Sequence, residues 1–533
     1  MKRIALVLTF IFAVSTGITA QAAVKADASC SKAGATSIVS NKKFTCVKSG
    51  KKLVWDKGVA VKKPAVVVLE LPKVEPTPAS TSTPTSTPTP LLENTQCQIQ
   101  GLQDNDAKGL LECRRVDGNK LTFVRISNSF GALTNPTSPD NLESCRLPDS
   151  RSSKLEAPAI AYPAKVSQGF TNSGQEKIVV VGIDFSDAPG SGKPSNLYGN
   201  DIKVSSEWIN WYSNSKLKWN FVTVDQWIRA PRTSNNYEVS QHGQSQTGLS
   251  NAQMKADFLL AIENYVDLSG TSAVWIYYPE NIEKINGKFA DRGDSVVTKK
   301  YGEIYPDVYA VGKDNYASKM PNWTYFVHET MHAQGIMGHS PREPWSIGLM
   351  LNDSSPSHIL NAWDQLILDW ILPSQIYCID KNEIVPTKLT MVPMEREQAG
   401  LNSIMIKLSP NKLLVVESHR EDKWSYGLGA GFYGVMVYLI DTSVNVSWEG
   451  EIATGTYLEI PNVNHGQHQP QGIPIKGFEN AGMGLVNGVG VASDQSRWNL
   501  NFFMYKGESI TYNGVKISLV STGDNDTIEI TKA

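Results

Sequence analysis

Between Glu75 and Leu91 the chain is almost entirely proline, threonine and serine. Such a run offers too little apolar surface to bury and is stiffened by its prolines, so it acts as a spacer. No single core can be built through it, and the 533-residue chain is divided there before any element is assigned. On its N-terminal side, Phe44-Thr45-Cys46-Val47 and Lys52-Leu53-Val54-Trp55 alternate over a length suited to two short strands, which predicts a small hairpin. On its C-terminal side there is enough chain for more than one core.

The first residues predict export. A basic Met1-Lys2-Arg3 precedes an apolar run from Ile4 to Ala13 and a small-residue cleavage site, Ala20-Gln21-Ala22. Ser15, Thr16, Gly17 and Thr19 interrupt the run before it reaches bilayer-spanning length, so residues 1–22 read as a signal peptide and not as an anchor. No later segment is apolar long enough to span, and the expected location is extracellular or cell-surface associated. Export places the six cysteines where disulfides persist, and an even count allows full pairing. Cys30 with Cys46, Cys97 with Cys113, and Cys145 with Cys378 are the favoured pairs; other connectivities stay open.

Charge excludes one class of partner. The net charge is −2, with no domain-wide basic face of the kind nucleic acid requires. Residues 23–75 are an exception, with eleven lysines against four acids, a net of +7. That segment is either a solvated basic face or a contact for an anionic cell-surface polymer. Its short Cys-containing module resembles those appended to secreted bacterial proteins, which implies attachment more than chemistry.

After the spacer, residues 177–185 and 273–278 are continuous apolar runs suited to buried strands. Helical patterns at Glu207 to Tyr212, Ala252 to Tyr265 and Trp323 to Gln334 alternate with them, an α/β or α+β order. From about Asn382 the chain turns to short strands broken by Gly, Asn and Asp: Ser403 to Leu408, Leu413 to Glu417, Gly434 to Ile440 and Thr527 to Thr531. That spacing predicts an all-β sandwich. The expected order is a basic module over 23–64, a linker over 65–96, an α/β (α+β) domain over 97–381 and the β-sandwich over 382–533.

The chemistry is concentrated in residues 327–339, VHETMHAQGIMGH. Residues four apart share a helix face, so His328 and His332 can offer imidazole nitrogens to one zinc ion. Glu329 then stands beside the metal without ligating it, placed to take a proton from water and pass it to a leaving amine. Trp323, Phe326, Val327 and Met331 form an apolar stripe that anchors the helix, and Gly335 supplies a left-handed stop. Chance alone seldom yields this spacing in a chain with eight histidines. A catalytic zinc needs a third protein ligand and one open position. His339, Asp353 and Asp364 compete for that role. The stop at Gly335 favours His339, because the chain can then turn back under the ion.

This stretch is similar to the zinc motif of the metzincin proteases and, with its surroundings, to the immune inhibitor A type of secreted bacterial metallopeptidase. Gly348-Leu349-Met350 resembles the methionine turn beneath the zinc, with Met350 as its floor, and residues 360–370 resemble the helix that follows. The pattern covers roughly residues 170 to 440, and only 328–372 is specific. The usual spacing puts the third histidine at 338, where this chain has glycine, so His339 requires one extra residue in the turn. The resemblance implies a metzincin-like catalytic domain, a zinc cofactor, and a protein or peptide substrate.

Several features keep a second reading. Met350 between apolar neighbours, and the apolar repeat from Ile359 to Ile371 ahead of Pro373, are explained by core packing as well. Cys145-Arg146-Leu147-Pro148-Asp149 is similar to the latency segment with which some metzincins cap zinc by a thiolate, and a disulfide to Cys378 is the alternative. His465 and His468 form either a metal pair or a solvated loop. His242, His358 and His419 carry no functional expectation. Two rivals to an endopeptidase stand: an inactive surface binding protein that retains zinc, and a zinc hydrolase of a non-peptide bond.

Overall fold

The computed structural model describes residues 25, 28, 29, 33, 36–39, 42–50, 52–60, 93–97, 103–106, 109–116, 120–125, 133–151, 161–239, 245–318, 321–336, 348–350, 353, 355, 357–425, 434–443, 472–474, 485, 486, 489, 490 and 503–533. The chain forms two compact units, Met1–Thr87 and Pro88–Ala533. In the first, Lys42–Ser49 pairs antiparallel with Lys52–Trp55 and Thr36–Val39, and also meets Val59–Ala60. The alternation read in the sequence is the cause: Phe44 and Cys46 are buried, while Thr45 donates its backbone N–H outward to Asp56 at 3.0 Å. Cys46 is disulfide-bonded. Cys30 and the export segment 1–22 lie outside the described residues.

The second unit is α+β and mostly sheet. Its first large sheet has the order Phe289–Asp291, Asp307–Val311, Thr271–Tyr277, Gly174–Asp184, Leu217–Arg229. All its pairings are parallel except that of Phe289–Asp291, which lies antiparallel at the edge. The period of two sorts each strand between two cores. Ile178, Val180, Trp275 and Tyr277 face one core, and Val179, Val181, Val274 and Ile276 face the other. Burial on both faces explains why these strands read as unbroken apolar runs.

Helices cover both faces. Ser195–Tyr212 and Asn322–Ala333 pack on the first, through Trp208, Tyr212, Trp323 and Phe326. Asn251–Ile262 covers the second through Met254, Phe258, Leu259 and Ile262, and starts at a capping box between Ser250 and Gln253. The helix read from Glu207 to Tyr212 thus begins a full three turns earlier, at Ser195.

Downstream, a six-stranded sheet contains Ile376–Asp380, Ser403–Ser409, Lys412–His419 and Gly434–Asp441, and a four-stranded sheet runs Thr387–Met391, Asp526–Lys532, Val515–Ser521, Ser509–Tyr512. Residues of both sheets join the core that also holds Trp275 and Phe326. Among the described residues of this unit two disulfides are formed, Cys97–Cys113, which ties residue 97 to the strand Gly109–Val116, and Cys145–Cys378 across 233 residues. With its sulfur in that bond, Cys145 has no thiolate to offer a metal. Among the described residues no helix is long and apolar enough to cross a membrane.

The helix expected over Ile359 to Ile371 is shorter, Ala362–Ile367. Ile359 and Leu360 are buried but not helical, because the Ile359 carbonyl accepts from Leu349 N at 2.8 Å and the Leu360 carbonyl from Gln365 Nε2 at 2.7 Å. At the other end Asp369 takes a left-handed φ of 61° and stops the helix.

Candidate metal centre

The helix Asn322–Ala333 brings the histidines together. Its apolar stripe is buried as the spacing predicts: Trp323, Phe326, Val327 and Met331 are each no more than 1% exposed. Phe326 stacks on Trp275 of the sheet with centroids 5.1 Å apart. Burial on this scale contributes roughly 1.5–3 kcal/mol per large side chain, so the helix is held by packing and not by propensity alone. Thr330 adds a polar tie, donating to the Phe326 carbonyl at 2.7 Å and accepting from Trp275 Nε1 at 3.2 Å.

The helix stops where the sequence says. Gly335 has φ +107°, and a Cβ there would stand 2.9 Å from the Lys165 carbonyl oxygen. Both the conformation and the close approach require glycine. The turn aims the Ile336 carbonyl back at the helix, where His332 Nδ1 meets it at 2.7 Å. His328 Nδ1 meets the Leu349 carbonyl, also at 2.7 Å. A carbonyl oxygen only accepts, so each Nδ1 carries a proton, and in the neutral ring Nε2 then keeps its lone pair.

Those two Nε2 atoms are 3.1 Å apart, on rings set at 87°, and both histidines are buried. Two lone pairs converging at that distance repel unless a cation lies between them. A tetrahedral zinc with bonds of about 2.0–2.1 Å sets its ligand nitrogens roughly 3.3 Å apart, so this pair fits the ion. A shared proton is the other cation that fits, at the cost of charging one ring. The outer carbonyl bonds are the usual support for ligating histidines, fixing tautomer and ring angle.

Glu329 is half-buried on the same helix. Its backbone carbonyl accepts from Tyr309 Oη at 3.1 Å, and its charge acts on Arg292, Tyr309 and Tyr325. Tyr325, one turn earlier, donates to the Phe289 carbonyl at 2.8 Å and so ties the helix to the edge strand. Met350 is fully buried beside Leu349, the residue whose carbonyl orients His328.

The remaining candidates separate. Asp353 pairs with Lys288, whose ammonium also lies 4.9 Å from the Tyr325 ring centroid. Asp364 is buried, and desolvation together with the nearby Glu417 holds its carboxyl well above the ordinary range. His339, His465, His468 and His242 lie outside the described residues, and among the described residues no group of three His, Cys, Asp or Glu side chains gathers around one point. His358 is buried against Trp323, and desolvation pushes its pKa down to about 3.

Two supports are missing from the sequence reading. Glu176 accepts from Gln334 Nε2 at 2.6 Å and Trp219 Nε1 at 3.0 Å, anchoring the residue that caps the histidine helix. Burial pushes Glu176 up to about 7 against those hydrogen bonds. A signal for it existed: Glu176 has the parity of Ile178 and Val180, the inward face of its strand. The second is His419, fully buried with Nδ1 3.0 Å from Glu395 and Nε2 3.2 Å from Glu417. Desolvation opposes its charge, yet the two carboxylates outweigh it and raise its pKa to about 9. Glu417 also accepts from Ala362 N at 2.6 Å and Asn361 Nδ2 at 3.1 Å, so this cluster fixes the start of the helix after Met350. No family model matches the chain, and no curated protein matches it.

Proposed function

We propose that this chain is a secreted zinc-dependent endopeptidase of metzincin-like form, similar to the immune inhibitor A type, with a β-sandwich after its catalytic domain. The observation that supports this most is the convergence of His328 and His332 Nε2 at 3.1 Å with both Nδ1 protons held by carbonyls. Histidines that served packing alone would not need lone pairs aimed at one point. His339 is the proposed third ligand, Met350 the floor beneath the site, and the basic N-terminal module the attachment to an anionic cell-surface polymer. Bound zinc would supply Lewis acidity to the scissile carbonyl and to water.

The protein's own groups do the rest. The Leu349 and Ile336 carbonyls hold the imidazoles as neutral donors of Nε2. Glu329, on the next residue of the helix, takes a proton from the attacking water and delivers it to the leaving amine, the glutamate task this spacing provides for. An unbiased peptide-library digest by zinc-loaded protein tests the reading, with E329Q and chelated protein alongside. Cleavage that both controls lose supports it. Cleavage that survives in both, or none of any peptide by the zinc-bound protein, overturns it in favour of a binding protein or a hydrolase of another bond.

A further inference from the structure

Beside the histidine helix, the segment at the end of the edge strand is held by three contacts from two residues. The buried Lys255 ammonium lies 3.1 Å from Asp291 Oδ1 and donates to the Asp294 carbonyl at 2.6 Å. Asp307 Oδ1 accepts from Gly293 N at 3.0 Å. The residue so framed is Arg292. The register of the edge strand, Ala290 opposite Tyr309 and Asp291 opposite Val308, carries it toward Asp307 on the neighbouring strand. Tyr309, two residues on, reaches both Asp307 Oδ2 at 2.9 Å and the Glu329 carbonyl at 3.1 Å.

Arg292 is thus a cation on a rigid mount next to Glu329, and the charges of Glu329, Tyr309, Asp307 and Tyr325 act on it. It is exposed, yet surrounding protein desolvates it. Among the described residues its guanidinium forms no hydrogen bond or ion pair, whereas Arg146, Arg229, Arg232 and Arg396 all do. A planar guanidinium with its donors facing solvent matches a carboxylate.

Building on the proposed peptidase reading, we infer that Arg292 is a specificity-determining residue that binds a substrate carboxylate close to the bond Glu329 acts on. The carboxylate has two sources in a peptide, an acidic side chain flanking the scissile bond or the C-terminus itself. Either way a substrate acid is brought near Glu329 without facing it unscreened.

The test uses full-length, zinc-loaded E329Q, which binds without turning over, and fluorescent peptides carrying a single Glu, Gln or Lys at each position in turn, each as free acid and as C-terminal amide. Anisotropy should show Glu bound about tenfold more tightly than Gln at one position, or free acid about tenfold more tightly than amide, the scale of a charge-assisted hydrogen bond. The first result assigns the side chain and the second the terminus. R292A on this background should erase that ratio, and R292E should invert it in favour of Lys or the amide. A ratio unchanged in R292A and R292E, or no charge preference at any position, overturns the inference. Cleavage by the Glu329-containing protein is read in parallel, so a failed peptidase reading shows as uncleaved peptides whatever the binding ratio does.

Discussion

The carbonyl of Leu349 accepts from His328 Nδ1 at 2.7 Å, from a position 21 residues farther along the chain. The orientation of the first histidine therefore depends on the segment ending at Met350, and that segment is itself fixed by Leu349 N on the Ile359 carbonyl. A ligand pair that looks local in sequence is set by a long-range contact. Its first consequence concerns the metal.

Purified protein should hold near-stoichiometric zinc by elemental analysis, and His328→Ala or His332→Ala should lose it. His339→Ala should weaken zinc strongly. Asp353→Ala and Asp364→Ala should leave it nearly intact, because Asp353 is paired with Lys288 and Asp364 is a buried acid whose charge is disfavoured. Wild-type zinc in either helix variant sinks the ligand assignment, and metal loss confined to the aspartate variants sinks the metzincin-like arrangement.

Glu329→Gln keeps the shape of the side chain and removes its basicity. Turnover should fall by at least roughly a hundredfold with zinc retained, the scale of losing a general base. Unchanged turnover in a steady-state peptide assay would exclude Glu329 from the proton transfer.

Gly335→Ala should cost about 1–3 kcal/mol in a denaturant titration, since alanine is strained at φ +107° and its Cβ would press on the Lys165 carbonyl. The same shift moves the Ile336 carbonyl off His332, so zinc affinity should fall as well. A variant as stable as the parent with unchanged zinc affinity contradicts both effects.

His419→Leu should destabilise by about 3–5 kcal/mol, because Glu395 and Glu417 are then left buried without the imidazolium between them. The folded pKa of about 9 lies above the ordinary 6.5. That stabilisation is fully present below pH 6.5 and is lost as pH rises through 9. The unfolding midpoint of the parent should drop across that window, and the leucine variant should lack this component of the drop.

Asp201 gives a pH dependence of the same sign in a lower window. It is buried and accepts from Tyr277 Oη at 2.8 Å, and desolvation raises its pKa from 3.8 to about 7. Because the folded state binds this proton more tightly, stability is highest below pH 3.8 as far as this group is concerned, and falls as pH rises to 7. Asp201→Asn keeps an acceptor for Tyr277 and removes the titration. It should be the more stable protein above pH 7 in thermal melts, by a few kcal/mol at most on the scale of such shifts, and a variant less stable than the parent at pH 8 refutes the cost assigned to this carboxylate.

How much of this was legible depends on what kind of signal each feature leaves. Apolar runs at 177–185 and 273–278 announced strands buried on both faces, and the stripe of Trp323, Phe326, Val327 and Met331 with Gly335 announced the histidine helix and its end. Those are properties of side chains in periodic order. The Leu349 and Ile336 carbonyls left no signal, because every residue has a carbonyl and only the fold selects which one faces a ring. Arg292 was equally silent: its place beside Glu329 follows from strand register. The Glu395, Glu417 and His419 cluster draws its partners from a strand and a loop 24 residues apart, and an acid near a histidine in sequence is too common to mark it. Glu176 broke an inward-facing alternation and could have been noticed.

The bond between Cys145 and Cys378 encloses the entire first sheet, the histidine helix and the segment that orients it within one covalent ring. A protease that nicks the chain anywhere inside that ring converts one polypeptide into two without letting either leave. Such a molecule keeps its full mass until a reductant is added, and the half bearing His328 and His332 stays tethered to the sheets against which it packs. A single cut in an exposed loop is then an injury the structure can survive.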